Sequence, residues 1–296
     1  MTGKIAFIGL GAIGLGMARR ILKAGLDISA YDKSQDARQA FADSGGRIGK
    51  TLNDTAQNAD LLLLCVFNVS QVHEILFGKS GVVKNLAQGA TVAVHTTMAP
   101  AQMIAVADNL CESGFRCIDA PVTGGVDAAN NGTITVMAAG DEAAIALAKS
   151  AFDAMSQRVV MCGADIGAAS KVKVINQLMV GTQIALTAEA VTLAKKAGVD
   201  PETVVDVVGS GAAQSFVWQT RAPAMFARDF APKGVVDILV KDLGIVANAT
   251  EQVGAFAPLS ALALQLFRAG AEQGLGRLGD SALVQVFEQM SGIDTD

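Results

Sequence analysis

Hydrophobic and polar positions alternate regularly along the first half of the chain. Short apolar runs of strand length are separated by segments whose apolar residues recur with helical spacing. This alternation predicts an α/β domain with a doubly wound parallel sheet and helices on both faces. The predicted strands are 5–8, 28–31, 61–66, 91–95, 115–119, 133–138 and 158–161, and the predicted helices are 13–24, 34–44, 100–113 and 141–155. Asn131-Gly132 predicts a tight turn before the sixth strand.

The pattern changes at Gly163. Residues 168–197 contain no proline and a single glycine, and their apolar positions keep a helical period. We expect one helix of about 30 residues, longer than globular helices usually are. Gly198 is a plausible helix stop, and Pro201 suits the first turn of the next helix. The remaining chain predicts helices alone, at 201–208, 214–226, 235–253, 258–273 and 281–290.

Composition narrows the classes of function. Apolar residues make up 51% of the 296 residues, and the net charge is −5 without a basic stripe, which argues against a nucleic-acid partner. The longest apolar run, 61–67, is too short to cross a membrane, and no signal peptide is recognisable. Four cysteines without a C-x-x-C pair and two histidines argue against a metal site. Reduced thiols suit a cytoplasmic enzyme.

A glycine-rich turn follows the first strand. It reads Gly9-Leu10-Gly11-Ala12-Ile13-Gly14 and opens the first helix. In this strand–turn–helix context the spacing is typical of a dinucleotide site, with Gly9, Gly11, Ala12, Ile13 and Gly14 at the pyrophosphate. The helix N-terminus contributes free N–H groups to the phosphates. The alternative is a turn whose glycines serve packing alone. The sequence therefore predicts a Rossmann-type dinucleotide-binding domain at 1–163.

An acidic residue follows the second strand. Asp32 stands 18 residues beyond Gly14, close to the offset of the carboxylate that binds the adenosine ribose. This carboxylate would repel a 2′-phosphate, so we expect NAD rather than NADP. The adjacent Lys33 weakens that inference. Asp32 could instead cap a helix, although Ser34 is the better candidate for a cap.

A second glycine cluster follows the fifth strand and begins at Asp119. Thr123 offers a hydroxyl group, and Gly124 and Gly125 can expose backbone N–H groups to an anion. A loop at the carboxyl end of a parallel strand faces the ligand crevice, so we expect a substrate carboxylate here. An ordinary turn explains the cluster about equally well.

Lysines in the helical half offer candidates for proton transfer. Lys173 lies one turn from Asn176 and Gln177 on the predicted long helix. A lysine acts as a general acid or base when burial brings its pKa towards about 7–8. The alternative is a solvated helix face, which we expect for Lys171. From the sequence alone, Lys241-Asp242 is interpreted as a surface ion pair.

Taken together, four blocks resemble the β-hydroxyacid dehydrogenase family over essentially the whole chain. They are 7–14, 119–125, 167–177 and 241–243. The resemblance implies a dehydrogenase that transfers a hydride between NAD and a small hydroxy acid. It implies that Lys173 is catalytic, that Thr123, Gly124, Gly125, Asn176 and Gln177 bind substrate, and that Thr97 and Lys241 approach the cofactor.

Within the family, the segments 215–221, 236–246 and 280–282 most resemble L-threonate dehydrogenases. The alternatives are a 3-hydroxyisobutyrate dehydrogenase, a tartronate semialdehyde reductase, or a dinucleotide-sensing binding protein without turnover. We expect a connecting helix at 164–197 and an all-helical domain for substrate and dimerisation at 198–296. The long apolar helix suggests a homodimer or homotetramer, since exposed apolar faces need covering.

Overall fold

A computed structural model describes residues 3–293. Within them, nine strands form one sheet in the order β3-β2-β1-β4-β5-β6-β8-β7, with β9 beside β8. The strands are β1 Ile5–Ile8, β2 Ile28–Tyr31, β3 Arg47–Ile48, β4 Leu61–Leu64, β5 Thr91–Val94, β6 Arg116–Asp119, β7 Val122–Thr123, β8 Ile134–Ala139 and β9 Ser156–Gly163. β1 to β6 run parallel, whereas β8 is antiparallel to β6 and β7. The expected doubly wound sheet is confirmed.

Both faces of this sheet are buried, which explains the unbroken apolar strands. Successive side chains of a strand point to opposite faces. Ile5 and Phe7 therefore join one core, and Ala6 and Ile8 join the other. The leucines of β4 divide in the same way. Strands buried on both faces read as continuous hydrophobic runs rather than alternating ones.

The helices of the first half cover these two faces. They are α1 Ala12–Lys23, α2 Gln35–Ala42, α3 Leu52–Ala56, α4 Val69–Phe77, α5 Pro100–Glu112, α6 Gly125–Asn131 and α7 Glu142–Met155. Met17 and Ile21 of α1 and Phe152 of α7 fill one core. Met103 and Leu110 of α5 fill the other.

The second half is helical. It contains α8 Ala168–Ala197, α9 Pro201–Ser210, α10 Phe216–Ala227, α11 Val236–Val253, α12 Pro258–Gly270 and α13 Val284–Met290. The predicted 30-residue helix is confirmed as α8. The chain divides into two compact units, and the boundary falls within α8, between Lys173 and Val174. The second unit has its own core, built around Ile184, Trp218, Leu243 and Phe267. Our three-part division at 163 and 197 stays a prediction, and its outermost residues, 1–2 and 294–296, lie outside the described residues.

The sequence pattern did not predict several short elements. They are β3, β7, α3, α4 and α6. The turn predicted at Asn131-Gly132, before β8, takes the form of a helix end. Asn131 is the last residue of α6, and Gly132 ends that helix in the left-handed conformation, with φ of +71°. Glycine is the usual residue at such a helix end because it has no Cβ.

None of the helices in the described part of the chain combines the length and the apolar character that crossing a membrane requires.

Candidate active site

The first glycine-rich turn joins β1 to α1, and its three glycines have different surroundings. Gly9 has a φ of +100°, and a Cβ there would collide with the carbonyl oxygen of Cys65. A Cβ on Gly14 would collide with the carbonyl oxygen of Gly9, whereas one on Gly11 would meet nothing within 4 Å. Gly9 and Gly14 therefore permit close packing, and Gly11 leaves open space beside the chain.

The same turn presents the N-terminus of α1. Gly11 is the N-cap residue, no side chain among the described residues caps it, and the first turn of α1 holds no acidic residue. The first N–H groups of a helix lack intrahelical partners and favour anions. An open glycine beside uncapped N–H groups fits a dinucleotide pyrophosphate.

Asp32 connects this turn to the end of β2. Its carboxylate accepts hydrogen bonds from the backbone N–H of Leu10 at 2.7 Å and of Ser34 at 2.8 Å. Ser34, rather than Asp32, caps α2 through a bond from the N–H of Ala37. Two carboxylate oxygens have about four acceptor sites. Asp32 therefore braces the glycine turn and can still accept a bond from a ribose hydroxyl.

Thr97 lies in the loop between β5 and α5, where it is half-buried. Just before it, the hydroxyl of Thr96 accepts a hydrogen bond from the N–H of Val66 at 3.0 Å. His95 donates from Nδ1 to the carbonyl oxygen of Ala120 at 2.6 Å. Burial lowers the pKa of His95 to about 4, so the ring is neutral at pH 7. This histidine therefore adds no positive charge to the edge of the sheet.

The second glycine cluster is more structured than a loop. Val122 and Thr123 form the two-residue strand β7, Gly124 is the N-cap residue of α6, and α6 begins at Gly125. Gly124 and Gly125 have φ values of +130° and +78°, which L side chains rarely adopt. A Cβ on Gly125 would meet nothing within 4 Å. The glycines are thus required by the backbone, and Gly125 also leaves open space beside the chain.

Lys173 is buried, whereas its neighbour Lys171 is exposed, as we expected. Lys173 lies in the second turn of α8, and the residue is 7% exposed. One turn earlier, the N–H and Oγ–H of Ser170 both donate to Asp119, at 2.8 Å each. Burial of a lysine needs a specific reason, since lysines are almost never fully buried.

Asn176, Gln177 and Asp242 form a chain of hydrogen bonds within the second unit. Asn176 donates from its amide to Oε1 of Gln177 at 2.8 Å, and Gln177 donates from Nε2 to Asp242 at 2.5 Å. Nζ of Lys241 lies 2.6 Å from the other carboxylate oxygen of Asp242. The carboxylate thus sets the direction of the Gln177 amide directly and that of the Asn176 amide through Gln177.

This geometry corrects our interpretation of Lys241-Asp242 as a surface ion pair. Asp242 is 3% exposed, and the side chain of Lys241 is 18% exposed. Adjacent charges on a helix do not reveal burial, because the partner that draws Asp242 inward is Gln177, 65 residues away. The structural role of Asp119 was also missed, although an acidic residue directly before the glycine cluster was a visible signal.

Comparisons with known proteins cover both units. A family model of the NAD-binding domain of 6-phosphogluconate dehydrogenase matches residues 4–163, and one of NADP-dependent 3-hydroxyisobutyrate dehydrogenase matches 167–287. L-threonate dehydrogenase of Cupriavidus necator is 37% identical over 97% of this chain and 97% of its own. The chain belongs to the β-hydroxyacid dehydrogenase family.

Other members of the β-hydroxyacid dehydrogenase family agree with this assignment. L-threonate dehydrogenase of Escherichia coli K12 is 35% identical over 96% of this chain and 94% of its own. A crystal structure of 3-hydroxyisobutyrate dehydrogenase from Salmonella typhimurium is 35% identical, with a TM-score of 0.91, and covers 96% of this chain and 100% of its own. The chain is therefore an NAD(P)-dependent oxidoreductase that acts on a CH–OH group of a hydroxy acid. These relatives favour an enzyme over a dinucleotide-sensing binding protein.

Replacing each of two glycines by alanine separates cofactor approach from packing. We expect Gly11→Ala to weaken NADH binding at least about tenfold, because its methyl group enters the open space beside α1. The change costs at most about 1 kcal/mol of stability as a poorer N-cap. Gly14→Ala clashes with backbone and destabilises the fold by about 1–3 kcal/mol. NADH titration and thermal unfolding of both variants measure the two effects. Equal losses of affinity and stability in both would contradict the division of roles.

Proposed function

We propose that this enzyme oxidises the 2-hydroxyl group of L-threonate with NAD as its preferred acceptor. The buried Lys173 is the observation that carries the chemistry, since a buried lysine one helical turn before Asn176 and Gln177 suits proton transfer to or from an alcohol. The substrate is proposed from the near full-length similarity to L-threonate dehydrogenases. The preference for NAD is supported by the Asp32 carboxylate, which would repel a 2′-phosphate.

The cofactor is proposed to bind to the first unit. Gly9, Gly11, Ala12, Ile13 and Gly14 hold the pyrophosphate, and Asp32 accepts a hydrogen bond from the adenosine ribose. The nicotinamide, when bound, supplies the hydride acceptor. Thr97 and Lys241 are the other residues that we assign to cofactor binding, and Lys241 brings a positive charge steadied by Asp242.

The substrate is proposed to be held at its carboxylate and at its reacting hydroxyl group. The hydroxyl of Thr123 and the N–H groups of Gly124 and Gly125 bind the carboxylate. Lys173, as the neutral amine, takes the proton of the substrate hydroxyl as that carbon loses its hydride, which leaves a carbonyl group. Asn176 and Gln177 orient the oxygen that changes from hydroxyl to carbonyl. General acid–base catalysis of this kind contributes about 10²–10⁴-fold.

A second candidate substrate is 3-hydroxyisobutyrate. It is favoured by the description of the family model that matches residues 167–287 and by the similar Salmonella structure. Tartronate semialdehyde is a third candidate within the same chemistry. All three offer a carboxylate and one reacting oxygen. Lys173 would take the hydroxyl proton of L-threonate or 3-hydroxyisobutyrate as it is oxidised, and would give a proton to the carbonyl oxygen of tartronate semialdehyde as it is reduced.

We also propose a cytoplasmic location, which is supported by four cysteines that all remain free thiols.

A panel of substrates tests the proposed function. With NAD, and NADH formation measured at 340 nm, we expect L-threonate to give the highest kcat/KM. 3-Hydroxyisobutyrate and D-threonate are expected to give a kcat/KM at least about tenfold lower. Parallel assays with NADP are expected to be slower because of the charge on Asp32. Activity with 3-hydroxyisobutyrate above that with L-threonate would replace the proposed substrate by the second candidate.

Two neighbouring lysines provide a matched test of the base. We expect Lys173→Ala to lower kcat about 10²–10⁴-fold, with NADH affinity unchanged within about threefold. Lys171→Ala, two residues away and exposed, is expected to keep normal turnover. Steady-state kinetics and NADH fluorescence titration measure both. Full turnover in Lys173→Ala, or an equal loss in Lys171→Ala, would end the assignment of Lys173.

We propose that the chain forms a homodimer or homotetramer through α8. Ile175, Met179, Leu186 and Leu193 are each more than half exposed, and they recur along one side of the helix. Such an apolar stripe is expected to be covered in solution. Sedimentation velocity should give at least twice the chain mass of 30.3 kDa. Leu186→Glu should shift the distribution towards monomer, and Lys196→Glu should not. A wild-type monomer at micromolar concentration would refute this proposal.

A further inference from the structure

A buried carboxylate at the end of β6 reaches the start of α8. Asp119 is 1% exposed. One of its oxygens accepts hydrogen bonds from the N–H of Gly167 at 3.0 Å and the N–H of Ser170 at 2.8 Å. The other oxygen accepts from the hydroxyl of Ser170 at 2.8 Å. All of these groups belong to the first unit.

These bonds anchor the first turn of a long helix. The first N–H groups of α8 have no partners within the helix, and Asp119 satisfies the one on Ser170. A negative charge at a helix N-terminus is further stabilised by the helix dipole. Three bonds from two residues fix both the axial position and the rotation of this turn relative to β6.

The anchored turn is the one that precedes Lys173. Ser170 lies three residues before Lys173, so the two side chains share one side of α8. Asp119 also directly precedes the segment that leads to Thr123, Gly124 and Gly125. One carboxylate therefore joins the start of the proposed substrate loop to the helical turn just before the proposed base.

We propose that Asp119 is a positioning residue that holds Lys173 in register with the substrate loop. The proposal rests on the proposed role of Lys173. Asp119 itself contacts neither substrate nor cofactor in this account. It acts by fixing where the lysine amine lies, and a misplacement of about 1 Å can cost on the order of 10²-fold in rate.

The electrostatics of the site agree with a dedicated role. Burial raises the pKa of the Asp119 carboxyl above its ordinary value, and the hydrogen bonds from Ser170 and Gly167 oppose that rise. A buried charge is costly unless it is hydrogen-bonded. An apolar residue could end β6 at lower cost, but it could not anchor α8.

A double-mutant cycle tests whether Asp119 acts through Lys173. Asp119→Asn keeps the shape of the side chain but turns one of the acceptor oxygens into a donor. We expect kcat to fall roughly 10–100-fold. The KM for L-threonate should change less than kcat, and the affinity for NADH should stay within about threefold of wild type. In the Lys173→Ala background, the same substitution should lower kcat less than about threefold, because the effects of substituting residues that act as a unit do not add. Asp153→Asn, an exposed aspartate on α7, is the control and should change kcat less than about twofold.

The outcomes of this cycle are distinct. Equal losses from Asp119→Asn in both backgrounds would overturn the proposal, since the residue would then act without Lys173. Full turnover in Lys173→Ala alone would instead overturn the proposed function. If Asp119→Asn fails to fold, Ser170→Ala removes a single hydrogen bond and replaces it in the cycle. Its loss of kcat, of roughly two- to tenfold, should likewise vanish in the Lys173→Ala background, and a persistent loss would overturn the proposal.

Discussion

The parallel direction of β1 to β6 is the constraint on which the rest of the first unit depends. Parallel strands all end at the same edge of their sheet, so the segments that follow them gather there. The turn at Gly9 follows β1, and Asp32 follows β2. The loop with Thr97 follows β5, and the segment that leads to Gly125 follows β6. Residues far apart in sequence thus lie at one edge of the sheet. The buried apolar strands that precede them hold that edge rigid.

Two buried carboxylates fix the position of groups on α8. Asp119 and Asp242 are almost fully buried, and each accepts hydrogen bonds that involve α8. Asp119 holds the turn before Lys173, and Asp242 sets the direction of the amides of Gln177 and Asn176. A buried carboxylate is costly unless such partners satisfy it. Each carboxylate therefore fixes the position of particular groups on α8, the helix that carries the proposed base.

Local patterns predicted much of this architecture. β1, β2 and α8 were predicted at the bounds that the structure shows, because long or fully buried periodic segments give strong signals. β4 ends two residues earlier than predicted, since Cys65 and Val66 already belong to the turn that packs against Gly9. The strands β3 and β7 have two residues each, and such lengths carry no periodicity.

The remaining features of the site depend on distant partners, which a local pattern does not encode. Lys241-Asp242 resembles any surface pair until Gln177 approaches it from α8. Asp119 resembles any strand end until Ser170, 51 residues later, donates to it. The resemblance to a family makes Lys173 a candidate base, whereas the hydrogen bonds that tie Ser170 to Asp119 are visible only in three dimensions.

The central claim is that Lys173 exchanges a proton with the substrate hydroxyl at the edge of a dinucleotide-binding sheet. A crystal structure of the non-reacting complex with NADH and L-threonate tests it most directly. We expect Nζ of Lys173 to lie about 2.6–3.2 Å from the 2-hydroxyl oxygen, with the substrate carboxylate bound by Thr123, Gly124 and Gly125. A complex in which that amine is beyond hydrogen-bonding reach of the bound acid would contradict it.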